Sequence, residues 1–385
     1  MKITNRRNFI KTGTAIAGLG LTASCSSSKK MSSVKGTVRY RDLGSTGFKT
    51  SEIGFGCMNM RNAELLHAAI DSGINYIDTA HSYMNGVNEE VVGSVMKTKR
   101  DQVFLTTKIR GGASELPGLI TTSLKRLQTD RIDLLLLHVT SSREQLFNED
   151  VMKVFEDAKR KGQTRFIGVS THSNQAEVLN AAVDGKFWEG ILTGYNYNSP
   201  PELTAAIKRA REAGIAIIGM KTLITTEKPR TPFPDIRKGK TDITNQQALL
   251  KWVLEDRYVD TIIPGITSFE QLADDVAIMD MNLAYDDTRI ARRYSENTKG
   301  IYCCGVSGCT GCKEKCPNGV QVNELNRCLN YAEGYSDIEL AMENYNALPA
   351  SSRIEMCSDC DECSVKCVNE INITDNINRA KKLFA

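Results

Sequence analysis

Between residues 37 and 284 the chain alternates short runs of β-branched and aliphatic residues with longer segments whose apolar residues recur at helical spacing. The short runs predict eight strands, at residues 51–56, 75–80, 103–108, 132–138, 165–171, 191–196, 216–221 and 261–266. The longer segments predict helices, among them residues 62–73, 88–97, 149–162, 200–214, 244–256 and 268–279. Eight strand–helix units of this length predict a closed (β/α)8 TIM barrel in the α/β class.

A doubly wound open sheet is the alternative fold for such an alternating pattern. That fold binds dinucleotides through a Gly-x-Gly-x-x-Gly turn after an early strand, and no such motif follows an early strand here. The barrel is therefore the favoured architecture. After residue 284 the pattern changes to polar loops and short helical segments, which predict a second, small, mainly helical and loop-rich domain over residues 285–385.

Composition narrows the class of protein only slightly. Hydrophobic residues make up 41% of the 385-residue chain and charged residues 25%, which is the ordinary mixture of a folded globular protein. The formal net charge of +3 is spread over interspersed signs, without the basic stripe that nucleic-acid binding requires. We therefore expect small-molecule partners and no nucleic acid.

The first 33 residues differ from the rest and predict a signal and linker. Arg6 and Arg7, followed by Phe-Ile-Lys and a mildly apolar run over residues 12–24, resemble a twin-arginine export signal. The run is too short to span a membrane. Cys25 ends a loose lipoprotein cleavage pattern, so the product would be periplasmic or anchored through a lipid at Cys25. A frayed N-terminal helix of a cytoplasmic protein is the alternative.

Four titratable residues follow the ends of adjacent predicted strands. Asp78 ends the second strand, Tyr83 lies in the loop after it, Lys108 ends the third strand and His138 ends the fourth. Each residue alone has an ordinary structural explanation, as a cap, a solvated end or a core histidine. Because a barrel gathers its chemistry at the carboxyl ends of its strands, we expect the four to converge.

Together these side chains can form an acid catalyst. The hydroxyl of Tyr83 is a weak acid, and a neighbouring Lys108 ammonium is expected to lower its pKa. Asp78 would hold the ammonium in place, and His138 would donate a hydrogen bond to a substrate oxygen.

The segments RDLGSTGFKTSEIGFG, DTAHSY, LTTK, SLKRLQTDRIDLLLLH, RFIGVS and IIPGITSFEQL resemble the aldo/keto reductase superfamily across nearly the whole barrel. The resemblance implies an NAD(P)-dependent oxidoreductase that moves a hydride between a nicotinamide and a carbonyl or alcohol carbon. It also implies that Asp78, Tyr83, Lys108 and His138 are the family's catalytic tetrad, with the tyrosine as proton donor.

The same resemblance implies a coenzyme site. Its residues are Gly56, Cys57, Ser170, Met220, Lys221, Gly265 and Gln271. Ser170 matches the serine that holds the carboxamide, whereas Met220 replaces a stacking tyrosine. Gly265 and Gln271 replace the Lys and Arg that grip the 2′-phosphate of NADP in many members, which leaves NAD and NADP both open. Cys57 has an alternative reading as a small buried hydrophobe.

The tail concentrates cysteine. Ten of the twelve cysteines lie between residues 303 and 367, so we expect its core to come from something besides apolar packing. The spacing resembles a two-cluster ferredoxin module, in which each [4Fe–4S] cluster takes three thiolates from one group and one from the other. The resemblance implies one cluster on Cys304, Cys309, Cys312 and Cys367, and a second on Cys357, Cys360, Cys363 and Cys316, with Cys303 as an alternative to Cys304.

Zinc and disulfides are the alternatives for these cysteines. Paired Cys-x2-Cys units can bind zinc, but zinc ribbons need neither the third cysteine two residues further on nor the x3 gap before the fourth. Export favours disulfides, although such close spacing would close very short loops. The twin-arginine route, which carries folded proteins, agrees better with preassembled iron–sulfur clusters.

These features predict an exported aldo/keto reductase-like oxidoreductase whose hydride chemistry is coupled to [4Fe–4S] clusters. Because free nicotinamide is not expected outside the cytoplasm, an external electron carrier would recycle bound coenzyme. The alternative is a non-catalytic electron-transfer or binding protein with structural clusters, against which the intact tetrad argues.

Overall fold

A short hairpin, β1 (Tyr40–Asp42) and β2 (Lys49–Ser51), precedes a ring of eight parallel strands. The computed structural model describes residues 37–223, 243–281, 292–293, 296, 300, 303, 309, 311–312, 314–334, 338–357 and 363–385. The ring consists of β3 (Phe55–Gly56), β4 (Tyr76–Asp78), β5 (Phe104–Ile109), β6 (Ile132–Leu137), β7 (Thr164–Thr171), β8 (Gly190–Gly194), β9 (Ala216–Met220) and β10 (Thr261–Ile262). Neighbours pair in chain order, and bridges from Ile53 to Ile262 and from Gly56 to Gly265 close the ring. The predicted barrel is confirmed.

Nine helices surround this ring in the described part of the barrel. They are α1 (Ala63–Asp71), α2 (Val87–Lys99), α3 (Leu116–Arg126), α4 (Arg143–Leu146), α5 (Glu149–Arg160), α6 (Gln175–Gly185), α7 (Pro201–Glu212), α8 (Asn245–Leu254) and α9 (Phe269–Ile278). In α5, for example, Val151, Phe155 and Ala158 recur at helical spacing and are the buried face. Strand β10 ends earlier than predicted because Pro264 has no N–H group to extend the ladder.

Alternating residues of each strand fill two separate apolar layers. In β6, Leu134 and Leu136 face the barrel interior, whereas Leu135 packs outward against the helices. The hairpin closes the amino-terminal end, where the Phe48 and Phe104 ring centroids lie 5.0 Å apart. The opposite end, at the carboxyl ends of the strands, is left for chemistry.

The tail adds α10 (Val322–Leu329), a π-helical turn (Asn330–Gly334), α11 (Ile338–Asn346) and α12 (Ile373–Phe384). The expectation that the tail lacks an apolar core was wrong. Leu325, Leu329 and Ile377 are buried together, and the Tyr345 and Phe384 rings stack at 4.7 Å. These residues recur at helical spacing within segments of polar average composition, so composition alone hid the core. No helix within the described ranges is long and apolar enough to cross a membrane.

Candidate active site

The four residues of the predicted tetrad meet at the carboxyl-terminal mouth of the barrel. Asp78 is the last residue of β4, Lys108 lies near the end of β5, and His138 directly follows β6. The backbone N–H of His138 donates to the carbonyl of Ile109 (2.8 Å), which ties it to the end of β5. Parallel pairing thus places residues 30 positions apart in sequence side by side.

Lys108 is the centre of the group. Its Nζ donates to Asp78 Oδ2 at 2.6 Å, to the carbonyl of Thr79 at 2.7 Å and to the Tyr83 hydroxyl at 3.2 Å. Only 1% of the Lys108 and Asp78 side chains is exposed. An ammonium has three donors, and all three are used here.

This arrangement keeps Lys108 charged. Burial alone would lower the pKa of Lys108, but the Asp78 carboxylate and the Tyr83 hydroxyl outweigh burial and raise the pKa above its ordinary value. Two further acceptors of the ammonium, the Thr79 carbonyl and the Tyr83 oxygen, also favour the charged amine. Burial raises the pKa of Asp78 against the opposing effect of Lys108, and the 2.6 Å contact between Lys108 Nζ and Asp78 Oδ2 favours the ammonium–carboxylate form of the pair.

Lys108 lowers the pKa of Tyr83, as predicted, but this effect does not decide the net shift. Burial raises the pKa of Tyr83 above its ordinary value, and the opposing effect of Lys108 is smaller. The hydroxyl is consequently fully protonated at neutral pH. The hydrogen bond from Lys108 stabilises phenolate relative to a site without the ammonium, so Tyr83 is still equipped to release its proton.

His138 lies across from Tyr83, with ring centroids 6.2 Å apart in an edge-to-face arrangement. Burial, followed by the positive charges of Lys108 and Arg110, holds the pKa of His138 well below its ordinary value. The imidazole is neutral and carries one N–H donor. A carbonyl oxygen between Tyr83 and His138 could accept from both side chains.

The loop carrying Tyr83 is held in an unusual backbone conformation. Met84 and Asn85, which follow it, both have positive φ angles, 52° and 54°. Asn88 secures the loop, because its side chain donates to the carbonyls of Cys57 (2.7 Å) and Met60 (3.0 Å) and accepts from Thr79 Oγ1 (2.6 Å). Non-glycine residues in this region signal strain, which persists only where surrounding contacts fix it.

A cavity of about 170 Å³ opens above the tetrad. Asp78, Tyr83 and His138 line it, and Lys108 lies beneath them. Four of the predicted coenzyme residues also line it, namely Gly56, Met220, Lys221 and Gly265. No atom lies within 4 Å of the position that a Cβ at Gly265 would take, so the wall is open there.

The other three predicted coenzyme residues do not line this cavity. Cys57 is fully buried in the core, as its alternative reading held. Ser170 is fully buried, and its Oγ accepts from the backbone N–H of Val139 (3.0 Å), a residue with a φ of 62°. Gln271 Oε1 accepts from the backbone of Thr267 (2.7 Å) at the start of α9.

The tail forms part of the same cavity, which the sequence did not predict. Tyr331, Leu340, Glu343 and Asn344 line the cavity together with the tetrad. The Nζ of Lys221 lies 4.8 Å from the centroid of the Tyr331 ring. The candidate active site is thus lined by both the barrel and the cysteine-rich tail.

A buried ion pair fixes the tail at this position. Arg327 in α10 pairs with Glu324 (2.5 Å) and donates to Asn344 Oδ1 in α11 (2.7 Å). Glu324 in turn accepts from Ser173 Oγ of the barrel at 2.8 Å. Burial opposes ionisation of Glu324, but Arg327 outweighs burial and holds the pKa of Glu324 below its ordinary value.

His172 is a second functional candidate that the sequence reasoning missed. It follows β7 directly, lines the cavity and has its ring centroid 6.3 Å from that of His138. The predicted strand 165–171 ended one residue before it. A histidine at the carboxyl end of a barrel strand was the available signal.

The described cysteines of the tail fall into two places. Cys316, Cys357 and Cys363 line one cavity of about 110 Å³, together with apolar residues such as Val365 and Ile377. Cys312 lies near Cys309 and Cys367. Burial is the main effect that raises the pKa of the Cys312 thiol to about 11, and Cys367 and Cys309 add to it. Cys25, Cys304 and Cys360, which were predicted for the lipid anchor and the clusters, lie outside the described residues.

The closed parallel barrel and the buried Asp–Lys–Tyr chain with its facing histidine define a class of protein. It is an oxidoreductase barrel whose mouth holds candidate residues for proton transfer. Residues 47–226 match the sequence model of the Aldo/keto reductase family. Over these residues the barrel is similar to the aldo/keto reductases, and the enzyme is an NAD(P)-dependent oxidoreductase of that type.

Individual relatives agree with this assignment. The chain is 25% identical to the uncharacterized oxidoreductase YqkF of Bacillus subtilis over 62% of this chain and 90% of that protein. It is 28% identical to the methylglyoxal reductase DkgB of Salmonella typhimurium over 57% of this chain and 82% of that protein. Among solved structures, the aldo-keto reductase from Klebsiella pneumoniae in complex with NADPH superposes with a TM-score of 0.59, 25% identity, and coverage of 67% of this chain and 96% of that chain.

Proposed function

We propose that the protein interconverts a carbonyl compound and its alcohol by hydride exchange with a nicotinamide coenzyme. The observation that carries the proposal is the continuous chain Asp78–Lys108–Tyr83, with contacts of 2.6 Å and 3.2 Å, at the mouth of the barrel. When bound, the nicotinamide supplies or accepts the hydride. Tyr83 gives its proton to the carbonyl oxygen or takes it from the alcohol, and neutral His138 donates a hydrogen bond to the same oxygen.

The residues lining the cavity fit a nicotinamide coenzyme. The wall is open at Gly265, whereas Gly56 packs closely against the backbone of Ile263 and Pro264, and Met220 and Lys221 line the same cavity as Tyr83. NADPH binding by the relative from Klebsiella pneumoniae supports a nicotinamide coenzyme here. NADP and NAD both fit, because the side chains at 265 and 271 are uncharged.

The reaction is tested with purified protein, NADPH or NADH, and a series of short aldehydes and ketones. Methylglyoxal belongs in the series because relatives are methylglyoxal reductases. We expect loss of reduced coenzyme in step with alcohol formation, and Lys108→Met to slow both by about 10²-fold or more. Coenzyme binding without turnover of any carbonyl or alcohol would favour the non-catalytic alternative.

We also propose that the tail holds two [4Fe–4S] clusters. The described cysteines form two groups that match the two ligand sets predicted from the sequence. One group is Cys309, Cys312 and Cys367, and the other is Cys316, Cys357 and Cys363. Cys304 would complete the first set and Cys360 the second. No three His, Cys, Asp or Glu side chains in the described part of the chain converge on a point as ligands of one metal ion would. A cubane instead takes one thiolate at each of four irons, so thiols spaced around a cavity suit it.

Local contacts support the cluster assignment. Backbone N–H groups donate to two of the sulfurs, from Gly311 to Cys309 (3.5 Å) and from Asn369 to Cys367 (3.3 Å), and such bonds stabilise thiolates that bind iron. A Cβ at Gly311 would lie 2.9 Å from a side-chain methyl of Val368, so the two cysteine segments approach closely here. Cys309, Cys312, Cys316, Cys363 and Cys367 carry free thiols.

Iron and acid-labile sulfide, measured on anaerobically prepared protein, test this assignment. We expect about eight of each per chain and visible absorbance that dithionite bleaches. Cys363→Ala should reduce the iron content, whereas Cys328→Ala, a buried cysteine of the tail in neither set, should not. Stoichiometric zinc without iron or sulfide would contradict the proposal.

We propose further that the clusters exchange electrons with the active site and an external carrier. The supporting observation is that the cysteine-rich tail itself lines the catalytic cavity. When bound, each cluster would accept one electron, so that oxidation of one NADPH to NADP⁺ would reduce two clusters and release one proton to solvent. Adding NADPH under anoxia and recording the electron paramagnetic resonance spectrum tests the coupling. Clusters that stay oxidised while the coenzyme is bound would leave them a structural role.

Export by the twin-arginine route is proposed from the sequence around Arg6 and Arg7, which lies outside the described residues. The test is fractionation of cells that express the native protein and the Arg6→Lys, Arg7→Lys double variant. We expect the native protein in the periplasm or on the membrane, and the variant in the cytoplasm. Cys25→Ala should release a membrane-bound form if Cys25 carries the lipid, and identical fractionation of native and double variant would contradict export.

A further inference from the structure

Asn88, in the first turn of α2, is a buried polar side chain that the proposed proton transfer does not use. It is 0% exposed. Its amide nitrogen donates to the carbonyls of Cys57 (2.7 Å) and Met60 (3.0 Å), and its amide oxygen accepts from the Thr79 hydroxyl (2.6 Å). Both N–H groups and the oxygen of the amide are therefore engaged. A buried polar network that is fully satisfied in this way is rigid.

Thr79 connects this amide to Lys108. It directly follows β4, and its side chain is fully buried. Its hydroxyl donates to Asn88, while its backbone carbonyl accepts from Lys108 Nζ at 2.7 Å. Thr79 is thus one of the three acceptors that hold the ammonium, and Asn88 fixes the side chain of Thr79.

Asn88 also lies against the loop that carries Tyr83. Met84 and Asn85 have φ angles of 52° and 54°, in a left-handed region that residues other than glycine seldom adopt. The Sδ of Met84 lies 4.0 Å from Nδ2 of Asn88. Because such a backbone persists only where surrounding contacts fix it, we expect the loop to depend on Asn88.

A turn between β3 and α1 is the third segment that Asn88 holds. The backbone N–H of Met60 donates to the carbonyl of Cys57 (2.8 Å), which closes the turn. The two central residues of the turn, Met58 and Asn59, line the catalytic cavity. One amide therefore joins the cavity wall, the end of β4 and the loop that follows β4.

These contacts form a closed ring around the proton donor. Asn88 contacts Thr79 (2.6 Å), and Thr79 contacts Lys108 (2.7 Å). Lys108 in turn contacts the Tyr83 hydroxyl (3.2 Å), and the next residue, Met84, returns to Asn88. Asn88 thus acts on both ends of the contact between Lys108 and Tyr83. A displacement of about 1 Å in a reacting group can cost about 10²-fold in rate.

We propose that Asn88 is a positioning residue for the proton transfer, which fixes the contact between Lys108 and the Tyr83 hydroxyl. It acts on the lysine through Thr79 and on the tyrosine through the loop. Asn88 is not among the described residues that line the cavity, so its effect passes through these neighbours. This inference rests on the proposed carbonyl chemistry and adds to it a residue outside the tetrad.

The first test compares Asn88→Ala in the native protein and in the Tyr83→Phe variant. We expect kcat/KM for carbonyl reduction to fall about 10²-fold in the native background, mainly through kcat, with a nearly unchanged coenzyme dissociation constant. In the Tyr83→Phe background the same substitution should cost less than about threefold, because the group that Asn88 positions is absent. A general loss of packing would instead cost the same factor in both backgrounds.

The second test separates the hydrogen bond from the fold and decides the case even where Asn88→Ala fails to fold. Thr79→Val keeps the shape of the side chain and removes its hydroxyl, so kcat/KM should fall about tenfold, as for one lost hydrogen bond. Thr79→Ser keeps the hydroxyl and should stay within about threefold of native. Asn75→Ala is the control, because Asn75 also bridges two backbone groups, of Lys49 and Ser51, but at the amino-terminal end of the barrel.

The outcomes separate the inference from the proposed function. Native kcat/KM in both Asn88→Ala and Thr79→Val overturns the inference while the carbonyl chemistry stands. An equal loss from Asn88→Ala with and without the Tyr83 hydroxyl overturns it as well, and so do equal losses in Thr79→Val and Thr79→Ser. Native protein that turns over no carbonyl or alcohol overturns the proposed function, and this inference with it.

Discussion

At the scale of single residues, the site depends on charges that are buried together. Lys108 keeps its proton because Asp78 and Tyr83 surround it, and His138 stays neutral because it is buried among cations. Burial raises the pKa of Tyr83, and the Lys108 ammonium opposes that rise. Each side chain is thus tuned by its neighbours more than by its own chemistry.

The coenzyme preference can be tested at Gly265. Its open surroundings accept a side chain without a clash, so Gly265→Lys should place an ammonium beside the coenzyme. We expect a preference for NADPH over NADH that is about tenfold greater than in the native protein, because a charged contact to the 2′-phosphate contributes about 1.5–3 kcal/mol. The measurement is the dissociation constant of each nucleotide.

Gly118→Lys is the matched control, since Gly118 in α3 is exposed, has no atom within 4 Å of its Cβ position and is remote from the cavity lining. Gly118→Lys adds the same positive charge at a site away from the cavity. An unchanged ratio of the two dissociation constants in Gly265→Lys would show that the 2′-phosphate does not approach this glycine.

The low pKa of His138 predicts how stability depends on pH. The unfolded chain takes up a proton near pH ~6.5, whereas the buried imidazole resists protonation. Unfolding therefore gains protons, so this contribution to stability is present above pH ~6.5 and is lost as pH falls toward the folded-state pKa. Urea unfolding of the native protein and His138→Gln between about pH 7.5 and pH 5 should give a shallower loss in the variant.

Asp275 gives an effect of opposite sign, since burial raises the pKa of its carboxyl to about 8. The contribution of Asp275 to stability is present below pH ~4 and is lost as pH rises toward 8. It is the same in the native protein and in His138→Gln. The difference between them therefore isolates His138. Parallel stability curves for native protein and variant would contradict a depressed pKa at His138.

At the scale of elements, the barrel strands were predictable and the docking of the tail was not. Runs of β-branched residues and apolar residues with a period of two predicted all eight strands. Titratable residues at the ends of these strands predicted the tetrad, because both signals are local in sequence. Glu324 and Ser173 are 151 residues apart, and no periodicity connects them. Contacts of that kind arise from tertiary packing and appear only in the structure.

The docking of α10 is tested by Glu324→Gln. In this variant Arg327 stays buried, with only 6% of its side chain exposed, and it loses its carboxylate partner. We expect the free energy of unfolding to fall by roughly 3 kcal/mol, since an unpaired buried charge is costly. Because α10 and α11 hold the cavity wall, KM for the carbonyl should rise more than kcat falls.

Glu212→Gln, at an exposed pair with Lys208 in α7 (3.9 Å), is the control and should change neither quantity measurably. Denaturant unfolding and steady-state kinetics on the same preparations give both readouts. A stable Glu324→Gln protein with native KM would show that this pair does not hold the tail on the site.

At the scale of the whole molecule, the cysteine-rich tail lines the same cavity as the predicted tetrad. The sequence placed a boundary near residue 285 and predicted two modules, but it could not show that Tyr331 and Glu343 border the catalytic cavity. Residues 34–385 accordingly form one compact unit. The tail residues Tyr331, Leu340, Glu343 and Asn344 line the cavity at the tetrad, which gives a physical reason for joining the two modules.

The central claim is that this barrel exchanges a proton through Tyr83 while a hydride moves between coenzyme and substrate. The most direct measurement compares kcat/KM for carbonyl reduction, and the coenzyme dissociation constant, in native protein and Tyr83→Phe. Tyr40→Phe, at an exposed tyrosine of the hairpin, is the control. The account predicts a loss of about 10²–10⁴-fold in kcat/KM with nearly unchanged coenzyme binding. Native turnover by Tyr83→Phe would contradict it.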